Sequence, residues 1–162
     1  MNTTTEAPGI EEQYVSACHT SNLRVEADRR GAGDMIIAAG WSRSLIGMAL
    51  MRLHTRYDTL GLEKVQVAVS IQANCMGIKS PDAISSAVVG WWLSKVCKKC
   101  HGRKFDVIPN TPSLSTKHCK ACYGAGEERI PFGDDGRALV NWLDDCKQAA
   151  VHSIKRRLRP TK

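Results

Sequence analysis

Two short repeats, Cys97-Lys-Lys-Cys100 and Cys119-Lys-Ala-Cys122, constrain this chain more than any other feature. Cysteines at i and i+3 can turn both sulfurs onto one ion, and two such pairs complete a tetrahedron. The knuckles are separated by 18 residues, within the spacing of about 15–20 typical of a closed four-cysteine zinc site. They also repeat in detail: Cys-Lys-Lys-Cys-His-Gly and Cys-Lys-Ala-Cys-Tyr-Gly each place a ring and then a glycine after the second cysteine. A glycine there lets the chain bend back so that amide N–H groups can face the thiolates. Cys97, Cys100, Cys119 and Cys122 are therefore the expected ligands of one structural Zn²⁺. His101 and His118 flank them and could replace one ligand, but four thiols at this spacing leave them as neighbours of the site.

Catalytic zinc keeps a position open for water and usually draws on His or carboxylate ligands. The sequence offers no such set. It also lacks G-x-S-x-G, a Walker loop, a dinucleotide fingerprint and H-E-x-x-H. The acid pairs Glu11-Glu12, Glu127-Glu128 and Asp134-Asp135 suit loops and helix starts, and His19, His54 and His152 stand alone. The expectation is a binding protein and not an enzyme.

The 162 residues suit one domain with a small metal-stapled insert, and 43% apolar content allows a real core. A net charge of +7 points to a polyanionic partner such as nucleic acid. Seven cysteines without a signal peptide point to a reducing cytoplasm and to metal thiolates in place of disulfides. Cys18, Cys75 and Cys146 read as small core residues. The longest apolar runs, such as Ala87 to Leu93, are too short to span a bilayer, so no membrane is expected.

The pattern is mainly α: a compact helical body with a candidate helix-turn-helix, and an inserted Cys₄ zinc-ribbon-like segment. Residues 1–9 read as a disordered lead, 10–96 as the body, 97–126 as the knuckle pair, and 127–162 as a basic helix packing on the body. Ile10 to Thr20 suits a short helix, and Asp34 is placed to cap another. Leu45, Ile46, Ala49, Leu50 and Leu53 give helical spacing over Ser42 to Tyr57, with Arg43, Arg52 and Arg56 on a basic face. Leu62 to Cys75 fits a helix, although the alternation of Val65, Val67, Val69 and Ile71 also fits a strand. Ser80-Pro81-Asp82 is a helix start, with Ser80 as N-cap. Phe105 to His118, with its two prolines, reads as a loop. After the Pro131 to Gly136 turn, Leu139, Leu143, Cys146, Ala150, Ile154 and Leu158 form an apolar stripe.

Within Val67 to Trp92, Ala73, Gly77 and Ile78 stand where a helix-turn-helix places its small residue, turn glycine and core residue. Lys79, Ser80, Asp82, Ser85 and Ser86 would then start a DNA-reading helix, while an ordinary helical pair fits equally. Around the knuckles, Lys98, Lys99, Arg103, Lys104, Lys117 and Lys120 can offset the thiolate charge and meet nucleic acid or a protein surface. The closing run of Lys155, Arg156, Arg157, Arg159 and Lys162 suits phosphate contacts, or simply a solvated helix end.

The knuckle pair resembles the zinc segment of DnaJ-type chaperones, which would imply binding of client protein. That family carries four repeats and a His-Pro-Asp turn, whereas this chain has two repeats and no such turn. A longer resemblance covers roughly residues 31–158. An Ala/Met/Gly-rich helical stretch (Gly33 to Trp41), a central helical region, CKKCHGRKFDVI, CKACYGAGEERIP and a basic last helix follow in the order of the Q-type late-gene antiterminators of lambdoid bacteriophages. That resemblance implies a transcription antitermination factor in the host bacterial cytoplasm. Such a factor binds DNA at a late promoter, loads onto paused RNA polymerase and carries it through pauses and terminators by acting at the RNA exit channel. The implied partners are double-stranded promoter DNA carrying one or two copies of the protein, bacterial RNA polymerase with its sigma factor, and nascent RNA.

Overall fold

A computed structural model describes residues 8–24, 30–56, 58–108, 111 and 113–158. The described residues form α1 (Ile10–Cys18), α2 (Ala32–Gly40), α3 (Leu45–Thr55), α4 (Thr59–Cys75), α5 (Pro81–Leu93), β1 (Phe105–Val107), β2 (Leu114–His118) and α6 (Gly133–Arg157). The fold is mainly helical, as the periodicities predict. It divides into two compact units, residues 1–68 with 141–162 and residues 69–140, so α4 and α6 each contribute to both. This division differs from the sequence reading, which kept 10–96 together and set 127–162 apart. Most of the lead at 1–9 lies outside the described residues.

In the first unit, α1 starts where Pro8-Gly9 ends, and the Glu12 carboxylate accepts the Gly9 N–H at 3.1 Å. In α2 the Asp34 carboxylate likewise accepts the Gly31 N–H at 3.1 Å. Asp34 therefore caps from the first turn, not from in front of the helix. The core combines Tyr14 and Ala17 of α1, Met35, Ala38 and Ala39 of α2, Met48 and Met51 of α3, and Ala150, Ile154 and Leu158 near the end of α6. Alanines at these contacts let backbones approach, and methionines fill the irregular gaps left. At Gly47 the approach is so close that a Cβ would collide with the Cys146 carbonyl. The Ser44 hydroxyl donates to that same carbonyl at 3.2 Å.

The helix-or-strand ambiguity in α4 is resolved by burial. Val65, Val69 and Ala73 are fully buried, whereas Val67 and Ile71 are 59% and 60% exposed. The alternating residues thus fall on opposite sides of one helix, as a 3.6-residue period requires. At its end the Ile78 N–H donates to the Ala73 carbonyl and the Gly77 N–H to the Asn74 carbonyl, both at 3.0 Å. Gly77 has φ +71°, and this left-handed Schellman turn separates α4 from α5.

Four expectations need correction. Ser80 stands at the N-cap of α5 but makes no side-chain cap bond, because its backbone is left-handed (φ 57°). Phe105 to His118 is not all loop: β1 and β2 pair antiparallel, Phe105 opposite His118 and Val107 opposite Leu114. Phe, Val, Leu and Thr within these segments favour that pairing. Helix α6 begins at Gly133, before the whole predicted turn has passed, with Asp134 and Asp135 in its first turn. Gly136 permits this, since a Cβ there would collide with the Pro131 carbonyl. Finally, Cys18 and Cys75 are exposed and Cys146 is half-buried; the first two are the last residues of α1 and α4, where packing runs out. Among the described residues, no helix is long and apolar enough to cross a membrane.

Candidate metal centre

The two knuckles bring Cys97, Cys100, Cys119 and Cys122 together, with one sulfur from each and all four within 4.8 Å of one another. The Cys100 and Cys122 sulfurs are 3.6 Å apart. Zinc–sulfur bonds of about 2.3 Å in a tetrahedron require about 3.8 Å between sulfurs, so the cluster has the dimensions of a thiolate cage. All four residues are buried.

The repeat seen in the sequence is also a repeat of backbone bonds. Arg103 N–H donates to the Cys100 carbonyl at 2.9 Å, and Ala125 N–H to the Cys122 carbonyl at 3.0 Å. The Cys97 N–H donates to the Gly126 carbonyl and the Cys119 N–H to the Lys104 carbonyl, both at 2.9 Å. Each knuckle's first cysteine is thereby tied to the residue four positions after the other knuckle's second cysteine. Equivalent positions share left-handed backbone: His101 with Tyr123, Gly102 with Gly124, and Lys104 with Gly126. The bend aims amides at sulfur, and Gly126 N–H lies 3.2 Å from the Cys122 sulfur. Burial raises the Cys122 thiol, but the Gly126 amide, the Cys100 thiol and the Gly124 amide outweigh it and bring the group down to about 7. Burial dominates at Cys100 and pushes it up to about 11, although the Lys104 amide acts against it. Such a donor set can hold one metal ion.

His101 is exposed. His118 is also exposed and stacks on Phe105, with ring centroids 5.1 Å apart. Neither belongs to the four-residue cluster. Lys98, Lys99, Arg103, Lys104, Lys117 and Lys120 are all exposed around it, and Lys98 pairs with Glu128 at 3.6 Å. Sequence reasoning missed how the lobe is anchored: Trp91 of α5 donates its indole N–H to the Glu128 carbonyl at 2.8 Å, and Lys95 lies over the Trp91 ring.

The other singled-out residues lie on other elements. Lys79, Ser80, Asp82 and Ser86 are exposed at the start of α5, but Ser85 is buried and donates to the Asp82 carbonyl at 2.9 Å. It faces the core because it lies one residue after Ile84 and three before Val88, both buried. Asp82 also accepts the Ser70 hydroxyl at 2.6 Å, tying α5 to α4. Arg43 is exposed in the turn before α3, outside the helix expected from Ser42. Arg52 and Arg56 are exposed at the end of α3. With Tyr14, Cys18, Thr55, Asp58 and Thr59 they line a cavity of about 380 Å³. Lys155 and Arg156 are exposed, while Arg157 donates to the Ser153 hydroxyl at 2.7 Å and its carbonyl at 3.0 Å. Arg159 lies outside the described residues.

Fold and centre together define a mainly helical protein with a buried four-cysteine cluster able to hold a metal ion. No protein-family model, no curated protein and no solved structure matches the chain.

Proposed function

We propose that this chain is a zinc-stapled transcription antitermination factor, acting in a bacterial cytoplasm during late bacteriophage gene expression. It binds a DNA element at a late promoter, loads onto paused RNA polymerase and promotes read-through of pauses and terminators. The observation that carries the reading is the closed four-cysteine cluster within a lobe whose cations are exposed. One Zn²⁺ held by Cys97, Cys100, Cys119 and Cys122 supplies rigidity, since a closed thiolate site has no open position for chemistry. Zinc with four thiolates carries a formal charge of −2, which Lys98, Lys99, Lys117 and Lys120 offset while facing phosphates or an acidic protein surface. The α4–Gly77–α5 arrangement supports duplex binding through Lys79, Ser80 and Ser86, with Asp82 fixing the helix pair. The protein acts by occupying a surface and not by catalysis.

In vitro transcription from a cognate late promoter with a terminator downstream tests this. Added protein should raise the fraction of transcripts passing the terminator. Unchanged read-through with promoter binding intact would sink the reading.

A further inference from the structure

Tyr123 is 71% exposed, an unusual state for a large ring, and its backbone is left-handed at φ 53°, a conformation that non-glycine residues seldom adopt. The Arg129 guanidinium lies over the ring, 4.7 Å from its centroid. One face of the ring is thus covered by a cation and the other is open. His101, at the equivalent position of the other knuckle, is likewise left-handed and exposed. Each knuckle therefore presents an exposed ring on a left-handed turn.

The surroundings are strongly charged. From Lys95 to Ile130 the sequence has eight Lys and Arg against three Asp and Glu, a surplus of five among the chain's net seven. All eight cations are exposed. An open aromatic face backed by arginine, within a field of lysines, is what an unpaired base and its phosphates require: the ring stacks on the base, the lysines take the backbone.

We propose that the knuckle lobe binds single-stranded RNA, stacking an unpaired base on the open face of Tyr123 with Arg129 behind it and phosphates on Lys120 and its neighbours. Duplex is disfavoured because its bases are already stacked, whereas single-stranded RNA offers bases that can be splayed onto aromatic rings and arginine planes. The inference rests on the antitermination reading, whose implied partners include nascent RNA, and names the residues that would take it; oligonucleotide binding and terminator read-through are measured separately and can each fail alone.

The test is fluorescence anisotropy of a labelled, unstructured RNA of about 12 nucleotides with the full-length, zinc-loaded protein at several salt concentrations. Tyr123→Ala should weaken binding about 5- to 100-fold with zinc content unchanged, and Tyr123→Phe should restore it. Loss of the ring should leave the salt slope unchanged, whereas Lys120→Gln should reduce it by about 0.7; a purely structural tyrosine predicts no such separation. Tyr123→Asn, which accepts the left-handed backbone and has no ring, keeps the test decisive if the alanine variant loses metal. Zinc-loaded ring-less protein binding at wild-type affinity overturns the proposal. So does a Tyr123→Ala loss as large for duplex or for single-stranded DNA as for RNA of the same sequence.

Discussion

The Cys100 sulfur lies 3.6 Å from that of Cys122, the second cysteine of the opposite knuckle. Sulfurs so close, buried and facing amide donors are better suited to sharing a cation than to remaining as protonated thiols. The backbone bonds that cross between the knuckles hold this arrangement from both sides.

Purified protein should therefore contain one zinc per chain by metal analysis. Cys100→Ser or Cys119→Ser should release it and open the 97–126 segment to protease. Acidification should release it as well, because the ligands bind as thiolates and protons compete for them. Retained metal and unchanged protease resistance in either variant would show that the ligand set is different.

Two glycine substitutions should have opposite signs. Gly90→Ala lies inside α5 with nothing within 4 Å of the new Cβ, and should stabilise the fold by about 0.5–1 kcal/mol. Gly47→Ala drives a methyl group into the Cys146 carbonyl and should cost about 1–3 kcal/mol despite better helix propensity. Urea unfolding of both variants provides the comparison.

The cations at the end of α6 should not be equivalent. Arg156→Gln should lower polyanion affinity and reduce the salt slope by about 0.9. Arg157 is held on its own helix by Ser153, so Arg157→Gln should change the slope little. Equal slopes for both variants would mean that the Ser153 bond gives way on binding.

At the start of α5, Lys79→Gln should weaken duplex binding with a slope change of about 0.9. Ser85→Ala should leave duplex affinity alone and cost about 0.5–1.5 kcal/mol of stability, since its hydroxyl is buried on the Asp82 carbonyl. A Ser85→Ala variant of normal stability but poor DNA binding would return Ser85 to the reading face.

The four-cysteine cluster was legible from spacing because a C-x₂-C knuckle is a local object: three peptide links fix where its sulfurs can point. The α6 stripe was legible for the same reason, as Leu139, Leu143, Ala150, Ile154 and Leu158 are all buried. The strand alternative for α4, the full loop at 105–118 and the buried role for Cys18 and Cys75 were not settled locally. Each depends on which neighbour arrives: a hairpin partner, a helix face, or solvent at a helix end.

By itself, then, the sequence determined that this protein is helical, basic and built around two cysteine knuckles, since periodicity, charge and short spacings are properties of neighbouring residues. Only the tertiary structure decided that the knuckles are bonded crosswise into one cage, that Arg157 is held by Ser153 and Ser85 buried, and that Tyr123 is exposed with Arg129 over its ring. Those outcomes depend on packing and hydrogen-bond directions, which a linear pattern does not encode.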